Sequence, residues 1–275
     1  MESLMDYENE NGISLICDFL NKQLGFTYGL KKKYLIQARL SRRLAELNLT
    51  SYEAYLRIIQ NTPQELSHFF DLLTTNVTSF FRENCQFQIM EQELLPALIQ
   101  SAGCAKKLRC WSAGCSSGEE AYTLAIVLRE TLGEDWNIKV LASDVSVRRL
   151  REGMSGVYSE EKLTNVPLSL RDKYFEMDSE KEGFFKVKAN LRKIVIFRNI
   201  NINQDFSIPA HIQFDFILCR NVFIYFSEEA RERALKGFYY YLNPKGYLFV
   251  GQSEPIHFTN SAQWSLVKNC IYQKK

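Results

Sequence analysis

The sequence predicts an α/β protein. Its centre is a doubly wound, Rossmann-like sheet ending in an antiparallel hairpin, with an all-helical N-terminal domain before it and a small β-subdomain inserted within it. Three observations predict this. Apolar residues recur at helical spacing through the first ~75 residues. After about residue 105, short apolar runs alternate with helical segments, as in a parallel sheet. A small-residue loop, Gly114-Cys-Ser-Ser-Gly118, joins the first such run to a helix.

In the N-terminal part, Ile13, Ile16, Phe19 and Leu20 mark one helix, and Leu30, Tyr34, Leu40 and Leu44 a second. Ser51 starts a third, with Tyr52, Tyr55, Leu56 and Ile59 on one side. Thr62-Pro-Gln-Glu65 reads as a capping box with proline at the first helical position, followed by the apolar face Leu66, Phe69, Phe70 and Leu73. The expected division is a helical domain over 1–75, a linker and helix over 76–105, and the α/β domain over 106–275. Within the last, strands are expected at 108–112, 138–143, 194–200, 214–219 and 247–250, and helices at 119–132, near 147–152 and at 227–241. Residues 153–192 exceed an ordinary crossover and read as the inserted subdomain, with a helix at 168–175 and a hairpin pairing 184–188 with 194–197. Lys268-Asn269 is the expected turn of the terminal hairpin.

Of the 275 residues, 46% are apolar and 13% aromatic, which supplies a core and excludes a disordered chain. No apolar run approaches the ~18 residues of a membrane helix, and the acidic first ten residues do not resemble a secretory signal, so a cytoplasmic protein is expected. A net charge of +2 gives no general case for nucleic acid. Seven cysteines without CxxC spacing and only three histidines point away from disulfides, metal and imidazole chemistry; no metal is expected.

The chemistry is expected at the strand ends. Gly114–Gly118 lacks both the dinucleotide fingerprint and the lysine of a phosphate loop, and Glu119 and Glu120 open the next helix. Carboxylates there suit the helix dipole but repel phosphate, so a cationic ligand fits better. Asp144, ending the second strand, stands where an acid receives ribose hydroxyls. A nucleoside with a cationic tail and no phosphates satisfies both, and S-adenosylmethionine is the common cofactor of that description. The other polar clusters are Thr74–Glu83, at the domain boundary, and Cys219-Arg220-Asn221-Val-Phe-Ile-Tyr225-Phe226, after the fourth strand.

Four segments taken in order, TTNVTSFFR (74–82), WSAGCSSGEE (111–120), ASD (142–144) and CRNVFIYF (219–226), resemble the chemotaxis receptor glutamate O-methyltransferases, the CheR-type family. Gly251-Gln-Ser-Glu254 also resembles a motif of that family, with Gln252 where histidine is frequent. The resemblance implies a class I methyltransferase sheet and the transfer of methyl from S-adenosylmethionine to receptor glutamates. It implies that Asn76, Thr78 and Arg82 reach the cofactor with Gly114, that Glu119 serves its methionyl end and Asp144 its ribose, and that Asn201 and Ile202 lie near the adenine. It implies as well that Arg220 and Asn221 line the same pocket and that Arg82 and Tyr225 stand closest to the moving methyl.

The implied partners are the cytoplasmic methylation helices of chemoreceptors. The basic stripe Lys32, Arg39 and Arg43 on the second helix, which carries six basic residues against Glu46, is the expected docking face. Met177–Gly183 is short and acidic and lacks the Gly-x-Gly-Pro loop of members that tether to a receptor peptide, so tethering is not expected. The alternatives are a non-catalytic cofactor-binding sensor of the same fold and a methyltransferase with another substrate.

Overall fold

The computed structural model describes residues 2–27, 30–74, 77–101, 106–256 and 263–275. Helices α1 (Glu2–Leu24), α2 (Leu30–Glu46), α3 (Tyr52–Asn61) and α4 (Pro63–Leu73) bury Ile16, Leu20, Leu40, Tyr55 and Phe69 against one another. The stripe of α2 that enters this core is Ile36, Leu40 and Leu44, at i, i+4 and i+8; Tyr34, expected on it, is 73% exposed. Ser51 caps α3, its Oγ accepting from Ala54 N at 3.2 Å.

The expected capping box does not form. Thr62 makes no side-chain cap, and Glu65 turns into the bundle. There its carboxylate accepts from Arg43 Nη2 (2.5 Å) and Nε (2.8 Å) and from Tyr55 Oη (2.8 Å). A bidentate guanidinium and a phenol in a buried setting outcompete one exposed backbone amide. Two residues of the expected docking stripe, Arg39 and Arg43, are half-buried and make contacts within the bundle. Arg43 holds Glu65, and Arg39 Nη1 donates to Leu72 O and Leu73 O, each at 3.2 Å, satisfying the carbonyl end of α4. The side chain of Lys32 lies outside the described residues.

A broken helix follows: α5 (Asn84–Ile89), a π-turn (Met90–Leu94) and α6 (Leu95–Ser101). Pro96 accounts for the wide turn, because its ring excludes the carbonyl four residues earlier. Strand β1 (Lys107–Ala113), helix α7 (Glu119–Leu132) and strand β2 (Asn137–Asp144) begin the α/β unit, and α8 (Val147–Ser155) leads into the insert. The insert holds β3 (Val157–Ser159), a short 3-10 turn (Glu160–Leu163), α9 (Leu168–Tyr174), β4 (Phe175–Met177) and β5 (Phe184–Val187). The chain then passes through α10 (Ala189–Arg192), β6 (Val195–Asn199), β7 (Phe214–Cys219), α11 (Glu228–Tyr241), β8 (Leu242–Val250), β9 (Trp264–Lys268) and β10 (Ile271–Lys274).

The main sheet has the order β6-β2-β1-β7-β8-β10-β9, parallel from β6 to β8 and antiparallel at β10 and β9. Its reversal at β1 puts the crevice for a ligand at the carboxyl ends of β1, β2 and β7. The expected pairing within the insert is corrected. β5 pairs with β3 and β4, whereas residues 195–199 run parallel to β2 with Val195 opposite Val140. Val195 and Phe197 of that strand are buried in the main core and are not available to a surface hairpin. The terminal turn also shifts by one residue, since Asn269 (φ 49°) and Cys270 (φ 60°) adopt the left-handed pair that a two-residue hairpin needs.

The helical domain is stitched to the sheet. Gly25 O accepts from Ser227 N at 2.7 Å, Thr27 N donates to Tyr225 O at 2.8 Å, and Phe26 bridges Phe226. Gly25 has φ +73°, and a Cβ there would lie 2.3 Å from that of Ala230, so only glycine admits this approach. Ser146 Oγ donates to Asp71 Oδ1 at 2.5 Å, tying α4 to the start of α8.

Replacing Arg43 by Met strands Glu65 in the bundle. Because Arg43 is partly exposed, the expected loss is about 2 kcal/mol, below the ~3–5 of a fully buried pair. The Arg43 hydrogen bond, against the opposing effect of burial, holds the Glu65 carboxyl below its usual range. Its stabilisation is therefore present above the ordinary glutamate pKa near ~4.3 and is lost as pH falls through the lower folded value. Thermal denaturation between pH 7 and 3 checks both points: the gap between wild type and Arg43→Met should be widest near neutrality and close on acidification.

Candidate functional site

A cleft of about 910 Å³ opens at the carboxyl ends of β1, β2 and β7. Of the residues expected there, Thr78, Arg82, Gly114, Asp144, Asn201, Ile202, Arg220, Asn221 and Tyr225 line it. Asn76 lies outside the described residues. Glu119 does not line it, and neither do Arg39 and Arg43.

The loop after β1 is stitched to β2, with Gly114 N and Cys115 N donating to Ser143 O at 2.7 and 2.9 Å. Gly114 has φ +79°, and a Cβ there would sit 2.6 Å from Val222 Cγ2, so the bare backbone forms the wall. Asp144 is 7% exposed. Its Oδ2 accepts from Ser116 N and its Oδ1 from Ser146 N, both at 2.8 Å, which fixes the carboxylate while leaving lone pairs toward the cleft. Burial pushes its pKa up, and the two amides oppose that.

The first two residues of α7 part company. Glu119 is fully buried away from the cleft, accepting from Ser117 Oγ and Lys162 Nζ. Glu120 lines the cleft, with Oε1 accepting from Ser112 Oγ at 2.6 Å and Oε2 from Arg220 Nη1 at 3.2 Å. One residue of helix turns the side chain by roughly 100°, so of two adjacent acids only one can face the crevice. This corrects the expectation for Glu119. Burial raises the Glu120 pKa, while Arg220 and Ser112 pull against it.

Arg220 directly follows β7, with a side chain only 2% exposed. It donates to Glu120, to Glu83 Oε2 (3.2 Å) and to Arg82 O (2.5 Å), and its guanidinium lies 5.1 Å from the Phe87 ring centre. Glu83 also accepts from Asn221 Nδ2 (3.1 Å) and Gln252 N (3.2 Å). Burial would raise the Glu83 pKa, but Asn221, the Arg220 charge and the Gln252 amide outweigh it and leave it lowered. Asn221 has φ 59°, and this strained turn is pinned by Glu254, whose carboxylate accepts from Asn221 N (2.6 Å), Ile224 N (2.9 Å) and Gly251 N (2.9 Å).

Arg82, donating to Val77 O at 2.9 Å, and Tyr225, its ring centre 5.7 Å from that of Phe26, also line the cleft. The far wall is Ile200, Asn201 and Ile202, with Asn201 Nδ2 donating to Gln23 O at 2.7 Å. Sequence reasoning missed Leu24 and Phe26, which line the cleft from the end of α1, and Glu120 and Ser116. The glycine that ends α1 was the available signal for the first pair. Among the described residues, no group of three or more His, Cys, Asp or Glu could hold a metal, and no helix is long and apolar enough to cross a membrane.

A doubly wound parallel sheet with an antiparallel end, a small-residue loop after β1 and a buried aspartate ending β2 define a class I, S-adenosylmethionine-dependent methyltransferase. Residues 76–272 match the family described as CheR methyltransferase, SAM binding domain, and residues 11–74 match CheR methyltransferase, all-alpha domain. The chain belongs to the CheR methyltransferase family. It is 34% identical over 259 residues to a chemotaxis protein methyltransferase of Borreliella burgdorferi, covering 92% of this chain and 90% of that protein. It is 37% identical to chemotaxis protein methyltransferase 2 of Pseudomonas aeruginosa (86% and 83% covered) and 34% identical to the chemotaxis protein methyltransferase of Escherichia coli (87% and 82%).

Glu254→Ala frees three backbone amides and should let the Arg220-Asn221 turn relax. The expected result is a lower melting temperature and roughly tenfold weaker S-adenosylhomocysteine binding, with Glu254→Gln between Ala and wild type. Calorimetric titration alongside thermal denaturation reads both.

Proposed function

We propose that this protein transfers the methyl group of S-adenosylmethionine to glutamate side chains of chemoreceptor cytoplasmic helices, forming glutamyl methyl esters. One observation carries the reading. The cleft is lined by the hydrogen-bonded carboxylates Asp144 and Glu120 and by Arg82 and Tyr225, and neither His68 nor His211 lines it. Carboxyl methylation needs that set, because a glutamate with a pKa near ~4.3 is ionised at neutral pH and requires no general base.

The fit to the cofactor rests on the same geometry. Asp144 would receive the ribose hydroxyls on lone pairs its two amide partners leave open. Glu120, in place of Glu119, would take the cationic methionyl amine, and its raised pKa would fall back as that charge arrives. Gly114 leaves room for close approach of the ligand to the backbone. Asn201 and Ile202 would flank the adenine, and Thr78 and Asn221 line the same cleft. When bound, S-adenosylmethionine supplies an electrophilic methyl on a sulfonium.

The chain's own contribution is alignment and exclusion of water. Arg82 and Tyr225 would orient the incoming carboxylate. Arg82 already gives one donor to Val77 O, which limits how firmly it can hold the nucleophile in the ground state. Arg220 acts from behind, holding Glu120 and the Arg82 backbone.

Transfer of labelled methyl from S-adenosylmethionine to a chemoreceptor cytoplasmic fragment, with base-labile release, tests the reading; absence of label on the receptor counts against it. Tyr225→Phe should lower kcat about 10- to 100-fold while changing S-adenosylhomocysteine affinity less than about threefold. Asp144→Ala should weaken that affinity by more than tenfold, consistent with loss of one or two charged hydrogen bonds. A wild-type rate for the first variant, or wild-type affinity for the second, removes the assigned role.

A further inference from the structure

The Gly114–Gly118 loop is gripped from two sides. On the cleft side Ser116 N is held by Asp144 at 2.8 Å. The grip behind it comes from the insert. Tyr158 Oη donates to Ser117 O at 2.7 Å, and Lys162 Nζ lies 2.5 Å from Glu119 Oε1 and 3.3 Å from Ser117 Oγ. Ser117 Oγ in turn lies 2.7 Å from Glu119 Oε2. Glu119 is wholly buried, and Lys162 is its one ion-pair partner among the described residues. The lysine reaches it from the surface, with its side chain still 40% exposed.

Glu119 is also linked, through its own helix, to the segment that carries Arg82. Its carbonyl accepts from Thr123 Oγ1 at 2.7 Å, and that oxygen accepts from Phe81 N at 3.1 Å. The insert, the loop and the segment carrying Arg82 therefore meet at one turn of α7. The loop has little room to shift, since Gly118 has φ +90° and a Cβ there would stand 3.0 Å from the Phe197 ring.

We propose that Lys162 is a positioning residue for the cofactor site. Through the buried Glu119 carboxylate and the Ser117 hydroxyl, it holds the loop and the Arg82 segment in register, although it does not itself line the cleft. The inference rests on the cofactor reading of the cleft. Its physical basis is the cost of a buried carboxylate that loses its only cation. Such a charge is drawn toward water, and that movement releases the Ser117 hydroxyl and the loop. Binding sites lose affinity when supporting groups shift by about half an ångström.

The test uses the full chain, S-adenosylhomocysteine calorimetry and methyl-transfer kinetics. Lys162→Met should weaken binding about tenfold and raise KM for S-adenosylmethionine in proportion, with kcat at saturating cofactor within about twofold. Lys162→Arg should restore affinity to within about threefold, because it keeps the charge. So should the double variant Lys162→Met/Glu119→Gln, which leaves no stranded charge and keeps the inference testable if Lys162→Met alone folds poorly. Wild-type affinity in Lys162→Met overturns the proposal, as does a double variant no better than the single one. A wild-type chain that binds S-adenosylhomocysteine but methylates no receptor overturns the substrate reading and leaves the Lys162 comparison intact.

Discussion

The guanidinium of Arg220 is the interaction on which the cleft depends. One cation, almost entirely out of water, serves two carboxylates, Glu120 and Glu83, and the Arg82 carbonyl. Glu120 belongs to a helix start, and Glu83 and Arg82 to the segment after the helical domain, so a single side chain just beyond β7 ties both to the end of that strand. Its removal would leave two half-buried acids near each other without a cation, a costlier state than loss of an exposed pair. The sharing also divides labour: Arg220 is occupied by the protein, while Arg82 lines the cleft.

A second constraint is the junction of the helical domain with the sheet. Leu24 and Phe26 belong to the cleft only because Gly25 lets the chain lie against residues 225–227 in a short antiparallel pairing. Asn201 strengthens that contact by reaching back to Gln23, and its other amide atom accepts from Asn203 N at 3.0 Å. The ligand-facing surface is thus a product of both domains, and α2 contributes to it only indirectly, through Arg39 and Arg43.

Much of this was legible in the sequence because local rules and global fold agree. The helix at 119–132 and the strand at 214–219 lie where periodicity put them, since their apolar patterns are unbroken and bounded by glycine or by polar residues. Asp144 and Gly114 were recognisable because a strand end and a tight loop each restrict which residues can stand there. The misreadings share one cause, which is competition for partners distant in sequence. Glu65 fits a capping box but finds Arg43 and Tyr55, and residues 195–199 could form a hairpin but β2 claims them.

The sequence by itself determined the order of elements, the class of the sheet and the loop where a ligand approaches, because these follow from periodicity and from backbone conformations few residues tolerate. Tertiary structure alone decided which of two adjacent glutamates faces the cleft, and that Lys162 from the insert neutralises the other. Charge placement of this kind depends on burial and on groups brought together from more than forty positions away, and no local pattern encodes it.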